Sequence, residues 1–152
     1  MEKNLDSFIL DFIETRYGLS RKDINAIIRN QNSDVTIHIF CNKNLGPLET
    51  LVKFLHENMQ LAFNEIAQML QRNPKTIWST YNNSIKKHKN KLDFESDGFY
   101  IPLKIFSNRK YSVLENLVRF FKDKGFEFKM ISRILNRSES TIRTCYMRAL
   151  AK

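Results

Sequence analysis

The chain has 152 residues, of which 42% are hydrophobic and 12% aromatic, enough to form one medium-sized domain or two small ones with packed cores. This composition excludes global disorder, and four glycines with three prolines leave little room for long loops. Lysine and arginine together number 25 against 16 acidic residues, and the net charge of +9 favours a polyanionic partner.

The sequence also gives expectations about compartment. No apolar run approaches the roughly 18 residues of a membrane span, and the acidic residues within Met1–Arg16 do not fit a signal peptide. The two cysteines, Cys41 and Cys145, lie far apart and match no metal-ligand spacing, so thiols in a reducing compartment are expected. We therefore expect a cytoplasmic, nucleoid-associated protein without membrane contact.

The segment before residue 35 predicts a helical hairpin, assigned to residues 1–34. An apolar stripe lies within Phe8–Ile13, and Ser20 and Asp23 have the spacing of a capping box for a second helix that ends near Asn30. This hairpin either covers the core of the protein or provides the contact of a homodimer.

The first of two similar units is assigned to residues 35–88. Alternating β-branched residues predict a short strand at its start. Pro47 fits the first position of a helix, Asn73 fits a helix cap, and Pro74 fits the start of the next helix. The predicted elements are a strand at Val35–Phe40 and helices over residues 47–58, 63–70 and 74–88.

A polar linker over residues 89–98 separates the first unit from the second, which covers residues 99–152. Ser112 and Glu115 form a full capping box, Gly125 ends the helix that follows it, and Ser138 caps the last helix. The predicted elements are a strand at Phe99–Phe106, in which Pro102 favours an edge position, and helices over residues 112–125, 127–135 and 139–152.

The two units are copies of one pattern. Ile39–Asn58 aligns with Ile105–Lys124 without a gap, and Leu61–Lys87 aligns with Phe126–Lys152 after one residue is dropped. Eight of the first 20 pairs and eight of the next 27 are identical. Two similar units can place two similar helices against two similar half-sites, which makes duplex DNA the obvious ligand.

Apolar residues at fixed spacing lock the second and third helices of each unit across a tight turn, as a helix-turn-helix requires. They are Ile66, Leu70 and Ile77 in the first unit, and Ile131, Leu135 and Ile142 in the second. The expected fold class is mostly α: two tandem three-helix helix-turn-helix units, each preceded by a short β-strand, plus the N-terminal helical hairpin. The equivalent strands predict an antiparallel ribbon about a pseudo-twofold axis.

The second unit carries the clearest motifs: Tyr111–Glu115, Gly125, Ile131–Leu135, Ser138–Arg143 and Arg148–Leu150. They resemble region four of bacterial sigma factors and related response-regulator domains. In that pattern a Glu lies in the first helix, Ile-Ala-x-x-Leu in the scaffold helix, and Ser-x-x-Thr-Val/Ile-Lys/Arg opens the recognition helix. The whole arrangement also resembles an uncharacterised archaeal helix-turn-helix family. The resemblance implies DNA recognition by the third helix of each unit.

The first unit keeps part of this pattern: Glu49, Ile66, Ala67, Leu70, Thr76 and Ile77. It departs from the pattern at Asn73–Pro74 and at Trp78, where Lys or Arg is usual. Both units lack the glycine that commonly follows the scaffold helix, having Gln71 and Asn136 instead. The resemblance covers only the two units, and the rest of the chain has no room for a region that melts promoter DNA. Sigma activity is therefore not implied.

Helical geometry predicts which side chains face DNA. If Ile77, Tyr81 and Ile85 face inward, the opposite face of the first unit carries Lys75, Trp78, Ser79 and Asn82, and that of the second carries Ser140, Arg143, Thr144 and Met147. Arg143 suits a bidentate contact to guanine and Asn82 suits adenine. For Trp78 three interpretations stay open: a thymine methyl contact, packing on the sugar-phosphate edge, or a place in the core.

Basic residues predict contacts to the DNA backbone. Residues 72–91 contain six lysines and arginines and no acid, and Lys86, Lys87, Lys89 and Lys91 resemble a phosphate-binding tail. The alternative is a solvated basic helix end, which also suits the helix dipole. The other candidates for the interface are Arg148 and, just before the first helix of each unit, Lys43, Arg109 and Lys110.

No catalytic motif is present in the sequence. The three histidines are isolated, and Asp93, Glu95 and Asp97 lie together in the linker without converging partners. We therefore expect sequence-specific binding of double-stranded DNA by a transcriptional regulator that is no enzyme and has no cofactor or metal. The alternatives are a protein-interaction helix-turn-helix module and a non-specific architectural DNA-binding protein. Further expected partners are a second copy of the chain and the transcription machinery.

Overall fold

The computed structural model describes residues 5–21, 34–93 and 99–152. Within these ranges the protein is mostly helical, with seven α-helices and one two-stranded sheet. In chain order the elements are α1 (Leu5–Tyr17), β1 (Asp34–Thr36), α2 (Pro47–Glu57), α3 (Phe63–Met69), α4 (Pro74–Lys87), β2 (Tyr100–Pro102), α5 (Val113–Asp123), α6 (Phe128–Ile134) and α7 (Glu139–Leu150). The second helix predicted for the N-terminal hairpin, beyond residue 21, and half of the predicted linker, residues 94–98, lie outside the described residues.

All six helices predicted for the two units are present, and the signals that located them act as expected. Pro47 is the first residue of α2. The Ser112 hydroxyl accepts a hydrogen bond from the Glu115 backbone N–H at 3.1 Å, and the Glu115 carboxylate accepts one from the Ser112 N–H at 3.0 Å. These bonds satisfy backbone donors that the first turn of α5 would leave unpaired.

The predicted strands are too long, and that part of the prediction is wrong. Each strand has three residues and is followed by a 3₁₀ helix, Ile37–Cys41 after β1 and Leu103–Ser107 after β2. Ile37, Ile39 and Phe40 are all buried. A strand would point Ile39 and Phe40 to opposite faces, whereas the tighter turn turns both toward the core.

The two strands pair antiparallel, which confirms the predicted ribbon. Val35 lies opposite Ile101, and these two residues occupy equivalent positions in the repeat. The rings of Phe40 and Phe106, another equivalent pair, have centroids 5.8 Å apart. Contacts between equivalent residues are what a twofold axis imposes on groups beside it. The ribbon is therefore paired in the register that a pseudo-twofold between the units requires.

The N-terminal helix packs on the second unit. Ile9 is fully buried, the rings of Phe12 and Phe126 have centroids 4.4 Å apart, and the Tyr17 hydroxyl donates to the Lys124 carbonyl at 3.0 Å. Of the two interpretations of the apolar stripe, covering the core is confirmed for this helix. A homodimer contact through the hairpin stays a prediction.

Candidate nucleic-acid interface

The turns before α4 and α7 have the same geometry. The second residue after the second helix of each unit is left-handed, with φ of 52° at Gln71 and 50° at Asn136. In both turns the next N–H bonds back to the fifth residue before it: Arg72 to Ala67 at 2.9 Å, and Arg137 to Ser132 at 3.0 Å. Glycine commonly ends helices in this conformation, so Gln71 and Asn136 adopt the shape that the missing glycine would have supplied.

The predicted caps begin both third helices. The Asn73 side chain accepts from the Lys75 N–H at 2.9 Å, and the Ser138 hydroxyl accepts from the Thr141 N–H at 3.2 Å. Ile77 and Ile142 are fully buried and fix the rotation of α4 and α7 about their axes. The sequence signals for turn, cap and inward face thus agree with the structure in both units.

The side chains predicted for the outer faces are on the surface. In α4, Lys75, Trp78 and Ser79 are exposed, while Asn82 is half-buried. Trp78 is 58% exposed, so its interpretation as a core residue is wrong. In α7 the exposed residues include Ser140, Arg143, Thr144, Met147 and Arg148. Each helix therefore exposes polar side chains together with large apolar ones, Trp78 on α4 and Met147 and Leu150 on α7.

Arg143 is held in place by neighbours on its own unit. Its Nη2 and Nε lie 2.6 Å and 3.0 Å from the same carboxylate oxygen of Glu139, one turn earlier. The guanidinium also lies over the Phe128 ring, 4.7 Å from the centroid. Arg143 has to exchange or share the Glu139 partner to bind a base in the way predicted.

The basic end of α4 is divided between surface and structural roles. Lys86, Lys89 and Lys91 are exposed. Lys87 is also exposed, but its ammonium lies 2.8 Å from Oε1 of the Glu49 carboxylate. The equivalent residues of the second unit form the same ion pair, with the Lys152 ammonium 2.6 Å from Glu115 Oε2. The interpretation of Lys87 as a phosphate ligand therefore has to compete with this ion pair.

The ion pair was not predicted, although the sequence contained its signal. Both the glutamate and the lysine are identical between the aligned units. Burial raises the pKa of Glu115, but hydrogen bonds from Lys152 and the Ser112 backbone lower it by more, so the net pKa lies below its usual range. The pKa of Glu49 is lowered for the corresponding reasons. These carboxylates fasten the end of the third helix to the start of the first.

The loops before α2 and α5 reach across to the other unit. Arg109, in the second unit, donates from Nη1 to the Gln71 carbonyl in the turn of the first unit at 2.8 Å. In the opposite direction, Asn136 Nδ2 donates to the Cys41 carbonyl at 3.2 Å. Lys110 lies beside the ring of its neighbour Tyr111, with Nζ 5.6 Å from the centroid. Arg109 thus lies at the partner turn, whereas the contact of Lys110 is within its own loop.

Arg72, in the turn before α4, has surroundings that the sequence did not predict. Its Nε is buried and has no hydrogen-bond partner among the described residues. Burial lowers the pKa of this guanidinium, and the nearby charge of Arg109 lowers it further. The identity of Arg72 and Arg137 in the aligned units could have drawn attention to both.

The residues considered for catalysis do not form a site in the described parts of the chain. No group of three or more His, Cys, Asp or Glu there could hold a metal ion. His56 stacks on Phe63, with ring centroids 4.2 Å apart, and its Nδ1 lies 2.8 Å from the Leu61 carbonyl. Burial, with a smaller contribution from the charge of Glu115, raises the pKa of Cys145 to about 11.

Comparison with known proteins finds no match to this chain. No family model matches the chain, and no curated protein or solved structure does either. Among the helices that the structure describes, none combines the length and the apolar character needed to cross a membrane.

Proposed function

We propose that this chain binds double-stranded DNA through two helix-turn-helix units and acts as a sequence-specific transcriptional regulator. The observation that carries the proposal is the equivalence of α4 and α7. Each follows the same left-handed turn, begins at a side-chain cap, buries one isoleucine and exposes a polar face. A short helix fixed in this way can enter a major groove with its N-terminal half.

Charge supports a polyanionic ligand. The net charge is +9, and residues 72–91, which include all of α4, contain no acid. Lys86, Lys89 and Lys91 are exposed near the end of this segment. Phosphate contacts of this kind supply most of the affinity for DNA, while base contacts supply the sequence preference.

The pairing register of the ribbon predicts the symmetry of the preferred DNA site. Because equivalent residues pair across it, we infer that α4 and α7 approach DNA as two helices related by a twofold rather than by a translation. We expect the preferred site to be an imperfect inverted repeat, with unequal halves because Trp78 and Arg143 occupy equivalent positions. A single chain would then bind in the manner of a dimer.

The test is selection of bound fragments from a random duplex-DNA pool at near-physiological salt, followed by sequencing. Enrichment of an inverted repeat supports the proposal, and the same half-sites in direct orientation provide the control ligand. Binding without enrichment would favour a non-specific architectural protein instead. We propose binding without catalysis, and cleavage of the duplex on addition of Mg²⁺ would contradict that part.

A protein-interaction module is the second candidate. Trp78, Met147 and Leu150 expose 58%, 62% and 60% of their surfaces on α4 and α7. Exposed aromatic and methionine side chains are common at protein interfaces. No binding to the duplex pool would favour this candidate, whereas binding that weakens steeply with salt would count against it.

A further inference from the structure

Two basic pockets lie where a turn of one unit meets a loop of the other. The first turn site is lined by Gln68, Gln71, Arg72, Asn73, Pro74 and Arg109. The second turn site is lined by Lys43, Ser132, Arg133, Asn136, Arg137 and Ser138. Arg109 and Lys43 occupy equivalent positions in the repeat, as do Arg72 and Arg137. The two sites are therefore equivalent positions of the two units, related by the pseudo-twofold.

Each turn site gathers positive charge without a balancing acid. Arg72 and Arg109 share the first site, and Lys43, Arg133 and Arg137 share the second. No carboxylate lines either pocket among the described residues. Bringing like charges together costs free energy unless an anion joins them. For the first pair, burial lowers the pKa of Arg72 most, and the charge of Arg109 lowers it further.

Two arginine side chains and a helix N-terminus supply the donors of the first turn site. The Gln71 carbonyl accepts from Arg109 and holds its guanidinium at the turn. Arg72 Nε is buried beside it without a partner among the described residues. The N-terminus of α4, with its positive dipole end, borders the same pocket through Asn73 and Pro74. Guanidinium groups offer planar forks of N–H donors that match phosphate oxygens.

We propose that each turn site binds one phosphate group, and that on duplex DNA it binds one phosphate of the backbone. This inference rests on the proposed function for its ligand. It adds that each phosphate contact is built by both units, because Arg109 comes from one unit and Arg72 from the other. Two such contacts, related by the twofold, set the register of the protein on the duplex.

The first experiment measures the salt dependence of duplex binding for Arg109→Gln, Arg72→Gln and the double variant. The slope of log K against log salt is negative, and losing one phosphate contact makes it less steep by about 0.9. Both single variants and the double variant should show this same loss, because they remove one shared contact. Lys104→Gln removes a charge from an exposed residue that lines neither site, and its slope should equal that of the unmodified chain.

Two results would overturn the turn sites while the proposed function stands: slopes unchanged in all three variants, or losses that add in the double variant. If Arg72→Gln fails to fold, Lys43→Gln with Arg133→Gln tests the second turn site, since both side chains are exposed. A reduction of the slope is expected for that pair as well, and no reduction rejects the proposal.

A second measurement separates this inference from the proposed function. Inorganic phosphate should raise the melting temperature of the unmodified chain above that in chloride of equal ionic strength, because a ligand that binds only the folded state stabilises it. The double variant should lose part of this shift, because it removes the first turn site and leaves the second intact. A shift that depends on both arginines, without duplex binding, keeps the turn sites and rejects the DNA proposal; no shift and no duplex binding reject both.

Discussion

The two units share one backbone plan, yet they treat one equivalent position in opposite ways. In the first unit Lys53 is fully buried, its ammonium lies 2.7 Å from Glu57 Oε1, and the Tyr81 hydroxyl donates to the same oxygen at 3.1 Å. In the second unit the equivalent Arg119 lies over the Tyr111 ring, 4.0 Å from its centroid. A repeat therefore conserves shape more strictly than it conserves the interactions that stabilise it.

A neighbouring position shows the converse, in which different residues make the same contacts. His56 of the first unit stacks on Phe63 and lies 2.8 Å from the Leu61 carbonyl. The equivalent Lys122 lies over the Phe128 ring, 4.4 Å from its centroid, and donates to the Phe126 carbonyl at 3.1 Å. Both side chains close the loop between the first and second helices, because each brings a polar nitrogen over an aromatic ring.

The largest expected effect comes from removing the buried ion pair between Lys53 and Glu57. Glu57→Gln leaves the Lys53 ammonium buried without a counter-charge and should lower the free energy of unfolding by about 3 kcal/mol. Asp123→Asn, at the equivalent exposed position of the second unit, should change it by less than about 0.5 kcal/mol. Urea denaturation measures both. Adding Lys53→Met to Glu57→Gln should restore most of the loss, and equal effects at the two positions would refute the difference between units.

The second prediction concerns base recognition at the positions of Arg143 and Trp78. Arg143→Ala should reduce discrimination at one base pair of one half-site by about 1–3 kcal/mol, because the guanidinium fork is lost. Trp78→Ala should produce no loss specific to guanine in the other half-site. Glu139→Gln is the control, since it weakens the partner of Arg143 but keeps the fork. Affinities for single-base variants of the selected site measure this, and unchanged preference in Arg143→Ala would exclude Arg143 from base readout.

The third prediction concerns the loop that differs in length between the units. Gly125 has φ of 85°, and an added Cβ would lie 2.9 Å from Arg16 Nη2. Gly125→Ala should therefore destabilise the protein by about 1–2 kcal/mol, chiefly through backbone strain. In the first unit Gln60 already has φ of 58°, and Gln60→Gly should stabilise by up to about 1 kcal/mol. Thermal denaturation compares the two variants, and changes in melting temperature of the same sign would contradict this prediction.

The smallest expected effect is the pH dependence of the ion pair that both units share. The pKa of Glu115 and that of Glu49 are lowered on folding. Each carboxylate thus contributes stability above its unfolded pKa of about 4.3, and the contribution disappears as pH falls through the lower folded value. Because both ammonium groups are partly exposed, Lys152→Met and Lys87→Met should each cost less than about 1 kcal/mol at pH 7.

Denaturation of these two lysine variants at pH 7 and near pH 3 provides the measurement. The difference from the unmodified chain should shrink as the pH falls, because protonation of the carboxylates removes the ion pair. Lys152→Met should have the larger effect, because only 7% of the Glu115 side chain is exposed against 17% for Glu49. A difference that persists at low pH would assign the loss to packing of the lysine stem.

The sequence by itself determined the local structure of the units. Pro47, Asn73, Ser112 and Ser138 marked helix starts, because each supplies a backbone angle or a hydrogen-bond acceptor that acts within a few residues. Apolar spacing placed Ile77 and Ile142 in the core, because helical periodicity decides which positions share a face. The lengths of the strands were wrong, and so was the interpretation of Trp78 as a core residue. In the first unit, burial of the consecutive residues Ile39 and Phe40 overrode the alternation of a strand.

Only the tertiary structure decided which side chains meet across the chain. Nothing local to Arg109 indicates that it donates to Gln71, 38 residues away, or that Glu57 buries Lys53 while Asp123 stays exposed. Such contacts depend on how the ribbon orients the two units, and that orientation follows from pairing Val35 with Ile101. Sequence patterns report the energetics of neighbours along the chain, whereas the cost of bringing distant charges together is fixed only once the whole core has packed.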